Sequence, residues 1–235
     1  MVNLKVFVGW DSREDIAFKV CEHTINEHAS DGVSVHPLKQ EALRDLGFYT
    51  RPLDAKASTE FSLTRFLTPH LAGPEGWSIF VDCDFVFTRD VADVLKGVSG
   101  DKALYVVQHD YTPAQSVKMD GKQQTTYPRK NWSSFMLFNN AHPKVRALTP
   151  AVVNSESPAY LHRFSWLEDD EIGALKLEWN FLVGEYEKPA RLPACIHYTN
   201  GGPWFDHCQD VDYAAEWLDA KARVEKAQAD TRKAG

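Results

Sequence analysis

The opening of the chain constrains the fold most. Lys5-Val6-Phe7-Val8-Gly9 is a short apolar run of the kind that forms a buried strand. Gly9-Trp10-Asp11-Ser12 breaks it, and from Glu14 to Asn26 Ile16, Val20 and Thr24 recur at helical spacing. Ser12 is placed to cap that helix, with Glu14 and Asp15 in its first turn. Val33-Ser34-Val35 then supplies a second strand. A strand, a helix and a strand in this order open an α/β fold with a mainly parallel central sheet flanked by helices.

The rest of the chain continues the alternation. Glu60 to Leu71 is predicted helical, Ser78 to Val81 a buried strand, Asp90 to Val94 a capped turn, Ala103 to Val107 and Phe135 to Phe138 further strands. Trp166 to Leu175 is predicted to be an acidic helix, Ala194 to Tyr198 a late strand, and about 213–230 an amphipathic terminal helix. The polar stretch from His109 to Asn131 is long for a connection inside a compact domain, a length usually tied to function. At 235 residues, without a repeat or a linker, the chain is read as one domain over 1–235.

A net charge of −7 argues against nucleic acid or an anionic membrane as the main partner. The N-terminus lacks a basic segment followed by an apolar stretch, and no apolar run is long enough to span a bilayer. A cytoplasmic location is therefore expected. Cys21, Cys83, Cys195 and Cys208 are scattered without CxxC spacing, and free thiols are expected.

The chemistry concentrates at the end of one predicted strand. Asp82 and Asp84 flank Cys83 directly after Ile79-Phe80-Val81. Side chains two apart on an extended segment point the same way. Two carboxylates so placed need a cation or strong hydrogen bonds. A hard divalent cation, Mn²⁺ or Mg²⁺, shared with substrate phosphates meets that need. Open α/β sheets also bind ligands at the carboxyl ends of their strands.

In three ordered segments the sequence resembles the GT-A glycosyltransferases, and among them the family 8-like enzymes. Ser62-Leu63-Thr64-Arg65-Phe66-Leu67-Thr68-Pro69 resembles their ARLxLP helix, Ile79 to Asp84 their YLDxD strand, and His197-Tyr198-Thr199-Asn200-Gly201-Gly202-Pro203-Trp204 their HFxGxxKPW segment. The resemblance implies a GT-A fold and transfer of a sugar, with retention, from a nucleoside-diphosphate donor such as a UDP-sugar to a glycan, lipid or protein acceptor. It makes His197 a third metal ligand beside Asp82 and Asp84. It places Val8, Gly9, Trp10, Asp11 and Arg13 around the nucleotide, together with Arg65 and Cys83. Trp10 offers a stacking face and Asp11 an acceptor for base or ribose. Glu168-Asp169-Asp170-Glu171 resembles the DQD segment that faces the transferring sugar, so Asp169, or Asp170 if the register shifts by one, is the expected catalytic carboxylate. Trp132, Ser133 and Ser134 stand where the family contacts the donor sugar. The last segment is one residue shorter than the pattern and has Gly202 where the diphosphate-binding lysine is expected. Backbone N–H groups of Gly201 and Gly202, or charge from Lys130 or Arg129, are the expected substitutes, with Trp204 closing the segment. Two other classes are weighed: a nucleotidyltransferase, against which the poor Gly-Trp-Asp-Ser-Arg loop counts, and a catalytically inactive nucleotide-sugar-binding protein.

Overall fold

The computed structural model describes residues 3–54, 57–110 and 129–234. In chain order the elements are β1 (Leu4–Gly9), α1 (Asp15–His28), β2 (Val33–Leu38), α2 (Gln40–Asp45), α3 (Thr68–Ala72), β3 (Trp77–Val81), β4 (Phe85–Phe87), β5 (Leu104–Val106), β6 (Phe135–Asn139), α4 (Pro143–Arg146), α5 (Pro150–Ser155), α6 (Pro158–His162), β7 (Ile172–Ala174), β8 (Phe181–Leu182), β9 (Cys195–His197) and α7 (Ala214–Ala234). Six strands form one sheet in the order β2-β1-β3-β6-β5-β7. Within it β1 is parallel to β2 and β3, and β6 runs antiparallel to β3 and β5. A smaller sheet, β4-β9-β8, packs beyond the end of β3.

The local chemistry explains these elements. Val6, Val8, Ile79, Phe80, Leu137 and Phe138 are buried because the central strands are covered on both faces. Pro37 lies in β2 at the sheet edge, where a missing N–H costs no ladder bond. The helix after β1 begins one residue earlier than expected: the Asp11 carboxylate, not Ser12, accepts from the Arg13 N–H, and a 3-10 turn leads into α1. Ser12 instead donates its hydroxyl to Glu60. The segment predicted as one helix from Glu60 to Leu71 splits into a 3-10 turn, Thr64–Leu67, and α3, which restarts at Pro69 in its first turn.

The acidic segment departs most from expectation. Trp166 to Leu175 is not a helix. Phe164 adopts φ 51°, a 3-10 turn covers Asp169–Glu171, and Ile172–Ala174 joins the sheet as β7. Gly173 allows this, because a side chain there would meet the Tyr105 ring of β5 at 2.2 Å. All four cysteines are free and buried. Among the described residues no helix is long and apolar enough to cross a membrane.

Candidate active site

Asp82, Cys83 and Asp84 carry the chain from the large sheet to the small one. The Asp82 N–H donates to the Ser134 carbonyl at 3.0 Å, and the Tyr198 N–H donates to the Asp84 carbonyl at 3.0 Å. The tripeptide is thus pinned to the start of β6 on one side and to the end of β9 on the other. The antiparallel register Phe85↔His197 then sets an imidazole from late in the chain beside Asp84. Donor atoms of Asp82, Asp84 and His197 all lie within 4.8 Å of one another.

The orientation of His197 is fixed from behind. Its ring is buried and stacks on Phe85 with centroids 4.2 Å apart. Nδ1 lies 2.8 Å from Asn180 Oδ1. Asn180 uses its Nδ2 to donate to Ser134 Oγ at 2.9 Å and to the Asn131 carbonyl at 3.4 Å. Its Oδ1 is therefore the acceptor, which assigns the ring hydrogen to Nδ1. His197 Nε2 faces Asp84 Oδ1 at 3.3 Å. A metal cation placed between that nitrogen and the carboxylate would serve both as ligands. Two carboxylates and one imidazole, with the second ring nitrogen held by an amide, are a donor set that fits a divalent cation.

Arg65 sits behind Asp82. Its Nη1 forms an ion pair with Asp82 Oδ1 at 2.8 Å and donates to the Ser133 carbonyl at 2.8 Å, and its Nε donates to the Ser62 carbonyl at 3.0 Å. The guanidinium is 5% exposed and lies over the Phe80 ring. Two carboxylates against one guanidinium leave one excess negative charge. A divalent cation would turn this into one excess positive charge, which suits a diphosphate.

The cleft is lined by Phe61, Arg65, the Asp-Cys-Asp tripeptide, Asn131, Ser133, Ser134, Gly201 and Trp204. It also contains Glu14, which the sequence reading did not select. Burial, then the Asp84 carboxylate, with Asp11 and Asp82 behind it and Arg13 opposing, push the Glu14 carboxyl up to about 7. His162 is half-buried and lines the cleft with Nδ1 2.9 Å from Ser133 Oγ. Burial, then the Arg65 charge, hold its ring down at about 3.

The structure brings together only part of the expected site. Asp82, Cys83, Asp84, His197, Arg65, Ser133, Ser134, Gly201 and Trp204 all line the cleft. Val8, Gly9, Trp10, Asp11 and Arg13 do not. Val8 is core, and Gly9 is covered by Phe61, whose Cγ would lie 2.5 Å from a Cβ there. Trp10 donates to Asp15 at 3.0 Å, and Lys39 lies over its ring. Asp11 is wholly buried. Burial raises its carboxyl, but hydrogen bonds from Arg13 and the Glu60 N–H outweigh that and leave it below the usual carboxylate range. Both Asp11 and Arg13 are thus committed to bracing the loop.

Lys130 is buried and Trp132 donates its Nε1 to the His109 carbonyl at 3.0 Å; neither lines the cleft. Gly202 is shielded by Trp204, so of the two glycines only Gly201 presents backbone to the cleft. Asp169 and Asp170 are not in the cleft either. Because β7 is parallel to β5, and β3 and β5 are both antiparallel to β6, β7 runs in the same sense as β3. Asp169–Glu171 precede β7, whereas Asp82–Asp84 follow β3, so the backbones of the two segments lie at opposite strand ends, while the Asp169 side chain reaches Arg129, two residues before Asn131 of the cleft lining. The Asp169 side chain is 93% exposed and paired with Arg129. Glu168 and Glu171 form a capping box. From the stretch His109 to Asn131, residues 111–128 lie outside the described residues.

No family model matches the sequence. Protein CDI of Arabidopsis thaliana is 48% identical over 226 residues, which cover 94% of this chain and 87% of that protein. Among solved structures, the WbbM bifunctional glycosyltransferase superposes with a TM-score of 0.67 at 16% identity, over 96% of this chain and 51% of that one. The chain thus spans about half the length of that structure. The galactosyltransferase LgtC, solved with donor and acceptor sugar analogs, superposes with a TM-score of 0.56 at 12% identity, over 93% of this chain and 95% of that one. At such identities the likeness establishes architecture, and the architecture is the expected GT-A fold. By sequence identity and coverage, the chain belongs to the family of Protein CDI, and it carries a GT-A glycosyltransferase fold.

Proposed function

We propose that this chain is a metal-dependent glycosyltransferase that moves a sugar from a nucleoside-diphosphate donor, read as a UDP-sugar, to an acceptor hydroxyl. The observation that carries the reading is the convergence of Asp82, Asp84 and a back-braced His197 in one cleft of a GT-A fold. These three residues would hold Mn²⁺ or Mg²⁺, which when bound supplies Lewis-acid stabilisation to the departing diphosphate.

In the reaction the anomeric C–O bond to the diphosphate breaks. A new C–O bond forms to the acceptor oxygen, whose proton passes to the departing diphosphate. Arg65 keeps Asp82 in place and adds positive charge beneath the phosphates. The Gly201 backbone borders the cleft where a phosphate can approach closely. The small Ser133 and Ser134 leave room for the sugar ring, and their hydroxyls are held by His162 and Asn131. With Asp169 and Asp170 outside the cleft lining, Glu14 is the carboxyl in the cleft besides the two metal ligands, among the described residues. It is the group placed to meet developing positive charge or a donor hydroxyl. Retention at the anomeric carbon is part of the proposal and follows from the family 8 resemblance.

The test is a donor screen. Purified protein is incubated with Mn²⁺ and a panel of nucleotide-sugars, and release of nucleoside diphosphate is followed by mass spectrometry. Turnover is expected with at least one donor, to vanish with chelator and return with Mn²⁺. Asp82→Asn and Asp84→Asn are each expected to lose roughly two orders of magnitude, the scale of a main electrostatic stabiliser. Full activity in chelator on metal-free protein would overturn the metal assignment. Release of pyrophosphate from a nucleoside triphosphate and sugar phosphate would favour a nucleotidyltransferase.

A further inference from the structure

A second cavity adjoins the cleft. It measures about 880 Å³, within the range of roughly 300–1,000 Å³ that small-molecule sites occupy. Ser58, Thr59, Ser62 and His162 line both cavities and so form their common wall. Tyr49, Pro52, Leu53, Leu63, Pro158 and Ala159 supply most of the apolar lining of the second. Leu53 is 82% exposed, more than any other large hydrophobic side chain among the described residues.

Several polar side chains around this cavity are already committed. Arg13 gives its guanidinium to Asp11 and to the Ser58 carbonyl. Glu60 accepts from both the N–H and the hydroxyl of Ser12. Gln40 donates to the Glu60 carbonyl and accepts from Arg44. His162 is held by Ser133 and by the Ser62 backbone. The Tyr49 ring carries the Arg44 guanidinium at 4.8 Å, so that face is closed to a stacking sugar. Beyond these the lining is aliphatic surface together with the exposed side chains of Asp54 and Arg163. On the wall toward the cleft, the Thr59 hydroxyl is buried with no hydrogen-bond partner among the described residues.

We propose that this cavity receives the acceptor, and that the acceptor is an amphiphile: an aliphatic chain lies in the cavity while its hydroxyl-bearing head passes Thr59 into the cleft. The proposal rests on the transferase reading for the word acceptor. Recognition of an aliphatic chain by the cavity stands independently of it. A chain buried here leaves water for the apolar lining supplied by Tyr49, Pro52, Leu53, Leu63, Pro158 and Ala159.

The experiment compares octyl β-D-glucoside, kept below its micelle threshold, with methyl β-D-glucoside by calorimetry, in the presence and absence of UDP and Mn²⁺. The octyl compound is expected to bind at least tenfold more tightly. Ala159→Trp, which fills the cavity, and Leu53→Lys, which puts a charge at an exposed lining position, are each expected to erase most of that preference. Both variants are expected to keep wild-type affinity for UDP with Mn²⁺, which reports that they fold. Equal binding of the two glucosides, or an octyl preference that survives both variants, overturns the proposal. So does competition between the octyl compound and UDP, since the cavity would then belong to the donor. If octyl binding behaves as expected while no donor is ever hydrolysed, the aliphatic site stands and the transferase reading falls.

Discussion

Asn180 touches His197 through its carbonyl oxygen and Ser134 through its nitrogen, so one buried amide orients residues from two sheets. Asn180→Ala removes the acceptor that keeps the ring hydrogen on Nδ1. Loss of such an outer partner typically costs 10–100-fold in metal affinity. Calorimetric titration of the protein with Mn²⁺ alone is expected to show a loss on that scale. Asn180→Asp keeps an oxygen in place and is expected to stay within several-fold of wild type. Unchanged Mn²⁺ affinity in the alanine variant would mean that His197 is not a ligand. Asn180 is not legible as a site residue, because Leu177-Glu178-Trp179-Asn180 has neither the charge nor the spacing of a site. Only the parallel register of β8 with β9 brings it next to His197.

At the scale of elements, two short segments carry distinct expectations. The turn Asp169–Glu171 leads into β7, and its residues do not line the cleft. Asp169→Asn is therefore expected to change kcat by less than about threefold. Its exposed pair with Arg129 is expected to contribute below about 1 kcal/mol, measured by urea unfolding. A hundredfold loss in kcat would restore Asp169 to the chemistry. The segment after β9 behaves differently. A Cβ on Gly202 would lie 2.0 Å from the Trp204 ring, and Trp204 in turn packs against Tyr198 and Trp217. Gly202→Ala should force that ring aside. The expected cost is about 1–3 kcal/mol, the usual scale of overpacking, visible as a lowered urea midpoint and altered tryptophan fluorescence. A variant as stable as wild type would show that the ring yields freely.

For the molecule as a whole, two histidines predict how stability responds to acid. His162 and His109 are both held at about 3, by burial first and then by the Arg65 charge and the His197 ring respectively. In the unfolded chain each takes up a proton near 6.5. Between about 6.5 and about 3 the unfolded state therefore binds more protons than the native state. Stability rises with pH across that window and is lost as pH falls through it. In the metal-free protein each histidine is expected to remove on the order of 1.4 kcal/mol per pH unit on acidification from 6.5, offset between about 7 and 4.5 by Glu14, which takes up its proton first in the native state. His162→Gln is expected to flatten that dependence, read from urea unfolding at a series of pH values. A variant with the same slope as wild type would show that His162 is accessible to protons in the native state.

Local chemistry determined several features directly. Alternating apolar runs and a helical repeat are enough to specify β1, α1 and β2, because burial of one stripe or face is a local pattern. The same holds for Ile79-Phe80-Val81 ending in two carboxylates, since strand ends of open sheets are where ligands meet the backbone. The tertiary structure alone decided which residues surround those carboxylates. Antiparallel pairing of β4 with β9 brings His197 to Asp84, and Glu14 enters the cleft because α1 begins beside the end of β1. Asp11 and Trp10, polar enough to read as ligand contacts, are spent on Arg13, Glu60 and Asp15 instead. The acidic segment departs from the expected helix for a physical reason: four adjacent acids look alike in sequence whether a helix or a turn carries them, and pairing of Ile172–Ala174 with β5 decides for the turn.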